Sequence, residues 1–372
     1  MDLAFDSAAS ALDDLLRGIC ESLQLPAYRL RLAEERYQAL ASVLEAESSP
    51  FAQYAPRIYP QGSMRLGTTV KPLSGPHDLD FVVELNLNPD CLAPGDLIDI
   101  LYSHLRQHGT YRGMVTRKRR CVRLSYADEF YLDILPACTD HRAGGTCIVV
   151  PDRSLDAWVP SNPIGYAGWF RDRARLTSRP VLAEAERLPA QIPADEKRPL
   201  QLTVQLIKRW RDNFFDAAGR APVSIVLTTL AAGHYKGEAS IAGALASIAD
   251  GVVKEIERAR QARWRVVVLN PSNPKEDLSE SWDGDAEAYS AFAHGMAALH
   301  EAWMALLSDP AKAHATLFRL FGEEPFKAAL AAQARRVQGA RQVGALGVSS
   351  AGALINSAGS VRRIRPNTFY GA

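Results

Sequence analysis

The sequence predicts an α+β protein of two lobes, and three observations carry that expectation. Short β-branched and aromatic runs, at 81–85, 121–126 and 130–135, crowd into the first 160 residues. They do not alternate evenly with helices, which tells against a doubly wound parallel sheet. From about residue 162 nearly every periodic segment is helical. The chain of 372 residues is 47% hydrophobic and 23% charged, so it can bury two or three domain cores. The expected division is 1–160 for N-terminal helices and the strand-bearing core, 161–338 for the helical lobe, and 339–372 for a flexible linker and tail.

Taken in order, residues 3–24 carry Leu12, Leu15, Leu16, Ile19 and Leu23 at helical spacing, and 30–48 carry Leu30, Tyr37, Leu40 and Leu44. Pro26 separates these two helices, and Pro50, Pro56 and Pro60 break the chain before a Gly-rich loop. The strands FVVEL, CVRLSY and FYLDIL follow, with a helix at 95–107 after Pro94-Gly95. Helices are then expected at 163–176, 199–215, 223–235, 239–260, 285–307 and 311–335, interrupted by the apolar run Val266–Leu269. The Pro-punctuated stretch 188–199 reads as a loop, and 339–360 is rich in Gly, Ala and Ser.

Charge and cysteine usage exclude several classes. Lys plus Arg number 43 against 42 for Asp plus Glu, without the basic excess of a nucleic-acid coat or a basic membrane binder. Five scattered cysteines do not make a disulfide scaffold and fit a reducing compartment. The first residues, MDLAFD, lack a basic n-region, and the apolar stretch Val223–Ala232 is too short for a spanning helix. A soluble cytoplasmic protein is expected.

Three pieces carry chemistry: Gln61-Gly62-Ser63 at the head of the Gly-rich loop, Asp78-Leu79-Asp80 opening FVVEL, and Asp133 inside FYLDIL. A chain of this size holds roughly one Asp-x-Asp by composition, and Asp283-Gly284-Asp285 is a second. That second run has no strand behind it and reads as a solvated loop and helix cap. Asp78 and Asp80 lie at strand period two, so both carboxylates leave the same face. Asp133 sits between Leu132 and Ile134, where a lone carboxylate is costly to bury. Three carboxylates on neighbouring strands suit Mg²⁺, and two such ions can serve an attacking hydroxyl and a leaving pyrophosphate. The competing account is that Asp78 ends a turn and Asp133 pairs with a nearby arginine. Gly62 lets a backbone approach a triphosphate, to which Ser63 can donate. A P-loop is rejected, because Thr68 stands where lysine is needed and no strand is expected directly before it.

Gly-Ser, then Asp-x-Asp on a strand, then a lone Asp on a later strand resembles the polymerase-β-like nucleotidyltransferases. With SNPIGYAGWF (161–170), IKRWRDNFF (207–215), PVSIVLTTLA (222–231) and VVVLNPSNPKEDLSESW (266–282), the chain more specifically resembles the bacterial CD-NTases. These are relatives of cyclic GMP-AMP synthase, the DncV-like nucleotidyltransferases and oligoadenylate synthetase. The resemblance spans about residues 30–310.

It implies a polymerase-β-like core with a mixed sheet and a helical C-terminal lobe. It also implies an enzyme that joins NTPs, ATP or GTP among them, into a cyclic di- or trinucleotide second messenger with release of pyrophosphate. Asp78 and Asp80 would ligate two Mg²⁺ ions, and Asp133 would complete the site and orient or deprotonate the acceptor hydroxyl. Gln61, Gly62 and Ser63 would hold the donor triphosphate, with Lys208 and Ser224 reaching its β/γ-phosphates. For Lys208 the plain alternative is a solvated helix lysine, and for Ser224 a helix N-cap. The family further implies antiphage (CBASS) signalling through a downstream effector. A ubiquitin-transfer-like accessory protein would conjugate the C-terminus at Ala372, for which a frayed end is the alternative.

Other features are weaker. Cys138, His141 and Cys147 match no common zinc spacing and lack a fourth ligand. The cluster Arg112, Arg117, Lys118, Arg119, Arg120 and Arg123 faces phosphates or solvates a hairpin. Tyr166 and Trp169 stack a base or fill a core. A template-independent RNA-tailing enzyme and a non-catalytic nucleotide-binding scaffold are the competing functions. The first wants a larger basic surface, and the second would be marked by a missing acidic residue.

Overall fold

The computed structural model describes residues 2–127, 129–177, 193–215 and 220–342, with short strands at 346–348, 354–356 and 362–363. The chain begins with α1 (Asp2–Ser22) and α2 (Ala27–Glu45), parted at Pro26. The first lobe continues with β1 (Arg57–Pro60), α3 (Gly62–Leu66), β2 (His77–Leu85), α4 (Pro94–Gln107), β3 (Val115–Arg117), β4 (Val122–Tyr126), β5 (Phe130–Thr139), β6 (Ile148–Asp152) and β7 (Ala157–Ser161).

The sheet runs β1-β2-β5-β4-β3, with β6 on β5 and β7 on β6. Only β2 and β5 pair parallel; the other pairs are antiparallel, so the sheet is mixed as expected. Strand β5 changes neighbours along its length: β4 lies along its start, and β6 takes over at Cys138 and Thr139.

Alternation decides what each face carries. Leu79, Phe81, Val83 and Leu85 of β2 join Leu124, Leu132 and Ile134 against Tyr37 and Leu40 of α2 and Leu97, Ile98 and Leu101 of α4. Tyr37 stacks on Phe81 at 4.7 Å between ring centroids. The opposite face holds a smaller apolar group, Tyr59, Val82, Ala137, Ile148 and Val150. Asp78, Asp80 and Asp133 share the parity of that less covered face.

The helical lobe comprises α5 (Pro163–Ala174), α6 (Pro199–Phe215), α7 (Ser224–His234), α8 (Ile241–Gln261), β8 (Leu269–Asn270), β9 (Asn273–Asp277), α9 (Ala286–Ser308), α10 (Ala313–Phe321) and α11 (Glu323–Gln342). Its core gathers Trp210, Phe292, Trp303, Phe321 and Phe326. Helix α6 lies at the centre, and over 202–210 it is buried all round, including the polar Thr203, Gln205, Lys208 and Arg209. Leu16, Ile19 and Cys20 of α1, with Leu23 just after it, join this core rather than that of the sheet. At Gly18 a Cβ would come 3.1 Å from the Cβ of Ala329 in α11, so the two helices meet closely at a residue without a side chain.

Several expected elements differ. The Gly-rich loop folds into α3, and β1 leads directly into it, although Thr68 still excludes a P-loop. Strand β2 begins at His77, four residues earlier than FVVEL, and β6 and β7 were not foreseen. The helix expected at 311–335 is two, broken at Gly322 with φ 91°. Helix α11 runs on into the expected linker, and 346–348, 354–356 and 362–363 pair as a three-stranded sheet. Residues 188–192 of the expected loop and the terminus Phe369–Ala372 lie outside the described residues. Among the described residues no helix is long and apolar enough to cross a membrane.

Candidate active site

The two sheet registers bring the acidic residues together. Parallel pairing sets Asp80 opposite Asp133, and antiparallel pairing sets Arg123 of β4 opposite the same Asp133. Paired residues leave the sheet on one face, so Asp80, Asp133 and Arg123 form a row across three strands, with Asp78 beside it.

Arg123 sits within this row as a built-in counter-charge. Its Nε and Nη2 donate to the two Asp133 oxygens at 2.7 and 2.7 Å, and Nη2 lies 3.1 Å from Asp78 Oδ1. The guanidinium also rests 4.4 Å from the Tyr131 ring centroid. The account in which Asp133 pairs with an arginine is therefore correct as geometry. It does not displace the acidic site, because the same arginine spans both carboxylates.

Asp80 is left without that fork. Burial first, then the charges of Asp133 and Asp78, push its carboxyl up to about 7. Asp78 is also raised, again mainly by burial, with Arg123 opposing.

The turn into α3 is fitted to Asp80. Gln61 N donates to the Asp80 carbonyl at 2.8 Å. Gly62 has φ 59°, and a Cβ there would lie 2.9 Å from Asp80 Oδ2. Both conformation and space therefore require glycine. Ser63 follows, on the second residue of α3.

The helical lobe supplies the cations. Lys208 is buried, and its Nζ donates to Thr68 O and Thr68 Oγ1, each at 3.2 Å. Burial, with Arg211 adding, pushes its amine down to about 7. This is not the solvated helix lysine of the plain alternative. Ser224 is the first helical residue of α7 and not its cap, a position held by Val223. Its hydroxyl accepts from Arg211, whose Nε also donates to Asp212 at 2.9 Å.

One open cleft of ≈ 340 Å³ is lined by Gly62, Ser63, Asp78, Asp80 and Asp133 from the first lobe and by Lys208, Arg211, Asp212, Ser224 and Thr228 from the second. Gln61 does not line it and enters only through its N–H bond to Asp80. The other expected site residues within the described residues converge here; Ala372 lies outside them.

Among the described residues no three His, Cys, Asp or Glu side chains form a ready-made metal cluster. Asp133 has both oxygens bonded to Arg123. The donor chemistry still fits a hard divalent cation: oxygen-only ligands whose mutual repulsion such an ion would relieve.

Sequence reasoning missed Arg211, Asp212 and His77, all at the cleft, and left Arg123 undecided. Arg211 carried a signal, lying one helical turn after Lys208. His77 is buried with its Nε2 lacking a partner, and its imidazole is held down at about 4 by burial and by Lys208.

The rest of the basic cluster is mainly structural. Arg117 pairs with Asp99 at 2.8 Å, and Arg119 and Arg120 hold the buried Asp152 while Arg120 reaches Glu280 at 2.6 Å. That network ties the sheet to the helical lobe. Tyr166 is core, its hydroxyl bonded to Thr229 Oγ1 at 2.8 Å. Cys138 is buried on β5, while His141 bonds Asn86 and Cys147 accepts from Asn162.

Comparison with known proteins identifies the family. The family described as Second Messenger Oligonucleotide or Dinucleotide Synthetase domain matches residues 11–174. A c-di-GMP synthase of Roseivirga ehrenbergii is 34% identical over 99% of this chain and 100% of its own length. The cyclic dinucleotide synthase CdnG of Bradyrhizobium diazoefficiens is 30% identical over 74% of this chain and 71% of its own. The structure of the Bradyrhizobium diazoefficiens CD-NTase CdnG in complex with GTP superposes with TM-score 0.71 at 27% identity, covering 86% of this chain and 98% of that one. The likeness to full-length relatives extends through both lobes, and the chain belongs to the bacterial CD-NTase family, as a nucleotidyltransferase of the cyclic-oligonucleotide synthase class.

Proposed function

We propose that this enzyme joins two GTP molecules into cyclic di-GMP, with release of two pyrophosphates. NTPs are its substrates. The observation that carries the reading is the strand register that sets Asp80 against Asp133 with Gly62 packed on Asp80. The choice of guanine rests on the full-length likeness to a c-di-GMP synthase.

Enzymes of this family work with divalent metal ions. Asp78 and Asp80 would hold two Mg²⁺, with Asp133 completing the set. Bound there, the ions supply charge neutralisation for the attacking hydroxyl and the leaving pyrophosphate. The chain's own residues do the rest. Gln61 and Gly62 bring backbone close to the donor triphosphate, and Ser63 donates to it. Lys208 and Ser224 reach the β/γ-phosphates from the second lobe. Asp133 orients the acceptor ribose hydroxyl and takes its proton. The hydroxyl oxygen bonds to the donor α-phosphorus as the bond to the β-phosphate breaks. A second round, with the linear product turned in the cleft, closes the ring.

The product serves a downstream effector in antiphage signalling in the cytoplasm. A ubiquitin-transfer-like accessory protein conjugates Ala372.

The test is incubation with each NTP alone and with all four, in Mg²⁺, followed by phosphatase and mass spectrometry. GTP alone should give a phosphatase-resistant cyclic dinucleotide. Extension of an added RNA primer, or linear products alone, would overturn the reading.

A further inference from the structure

The polar face of α6 is spent on the chain that follows the Gly62-Ser63 turn. Gln201, Gln205, Lys208 and Arg209 recur at helical spacing, so they share one side of the helix. Gln201 Nε2 donates to Leu66 O at 2.9 Å, and Gln205 Nε2 to Thr69 O at 2.6 Å. Lys208 donates to Thr68 O, and Arg209 to Lys71 O. The segment 66–71 is thereby strapped across the lobe boundary, carbonyl by carbonyl.

Two adjacent threonines in this strap touch the two phosphate-facing donors. Thr68 is fully buried, and its carbonyl and hydroxyl oxygens both accept from Lys208 Nζ at 3.2 Å. An ammonium has three N–H donors. Two are fixed on Thr68, which leaves one for the cleft. Thr69 Oγ1 donates toward Ser63 Oγ at 3.3 Å and also lies 3.5 Å from Met64 Sδ. A serine oxygen that accepts from Thr69 keeps its own proton free to donate outward. Thr68 N also donates to Ser63 O at 3.0 Å, so the strap is bonded back to the turn it follows.

We propose that Thr68 and Thr69 are positioning residues that aim one donor from each lobe, Lys208 and Ser63, at a single donor triphosphate. The proposal rests on the triphosphate roles given above to Lys208 and Ser63. Neither threonine touches substrate; each sets where another group's proton points. Because the strap is hydrogen-bonded to α6, the two donors move as one unit, and the triphosphate meets a preset pair.

The experiment measures binding of a non-hydrolysable GTP analogue and steady-state KM and kcat for the full chain. Thr68→Val keeps the shape and removes the hydroxyl acceptor, while Thr68→Ser keeps the hydroxyl. Thr68→Val should weaken analogue binding and raise KM by about tenfold, with kcat at saturation changed less than about threefold. Thr68→Ser should stay within about twofold of the parent. Lys208→Ala should weaken binding at least as much, and Thr68→Val should add nothing in that background. Thr69→Val should likewise add nothing to Ser63→Ala. If Lys208→Ala weakens binding and Thr68→Val does not, the positioning role is overturned and the site reading stands. If Lys208→Ala leaves binding intact, the site reading itself fails. If Thr68→Ser is as damaging as Thr68→Val, the residue acts through packing, and the proposal is overturned.

Discussion

The chain contains two Asp-x-Asp runs, and the fold gives them opposite fates. Asp78 and Asp80 lie in β2, beside a third carboxylate and within a cleft, and both carboxyls are pushed up. Asp283 and Asp285 lie before α9, where Asp283 pairs with Arg265 at 2.6 Å and Asp285 accepts from Ala288 N at 2.9 Å. The second pair stabilises the fold locally. The first concentrates like charge that a lone folded chain would do better without. Spacing is the same in both; the neighbouring strands make the difference.

The largest expected effect breaks this contrast directly. Asp78→Ala with Asp80→Ala should lower synthesis by more than about a thousandfold while leaving melting within a few degrees. Asp283→Ala with Asp285→Ala should leave synthesis within about twofold. Retained synthesis in the first variant would count against the site.

Next is the arginine that reconciles the acidic row. Arg123→Gln leaves Asp133 and Asp78 without their partner, and the metal-free protein should lose about 2 kcal/mol, read by thermal melting. Added Mg²⁺ should raise the melting temperature of this variant more than that of the parent. Equal shifts would remove Arg123 as the competing cation.

The third probe is pH. Asp80 has its folded carboxyl raised from 3.8 to about 7, so between those values the folded chain holds a proton that the unfolded chain has released. This contribution to stability is present below the unfolded value and lost as pH rises through the folded one. His77, lowered from 6.5 to about 4, acts with the opposite sign between those values, so the readout is the difference between variant and parent: metal-free Asp80→Asn should melt a few degrees above the parent, by a margin that widens from about pH 5 to 7. Lys208, lowered from 10.5 to about 7, acts with opposite sign above pH 7, so the test belongs below it. An unchanged slope in Asp80→Asn would refute the assignment.

The smallest effect is the single cap. Asp285→Ala should cost about 1 kcal/mol, a few degrees in a chain of this size, with no change in product.

What the sequence made legible follows from parity and period. Strand parity alone put Asp78 and Asp80 on one face, and helical period placed Lys208 on α6. Register is a relation between distant segments, so Arg123 opposite Asp133 could not be read from either strand. The short strands β6 and β7 carry few residues and little pattern. Gly322 alone did not betray the break between α10 and α11, since an isolated glycine is tolerated inside many helices. Thr68 was noticed only as a missing lysine, because its role depends on a helix some 140 residues later.

The contact between α1 and α11 has a consequence for how the chain is made. Helix α1 is made before the sheet lobe, and its face at Gly18 waits for α11, made well after that lobe, while the sheet lobe between them can fold on its own contacts. Synthesis should therefore pass through a stage with a finished sheet and an exposed α1 stripe, a span during which premature association is the hazard. Closure of α11 over Gly18 ends that exposure.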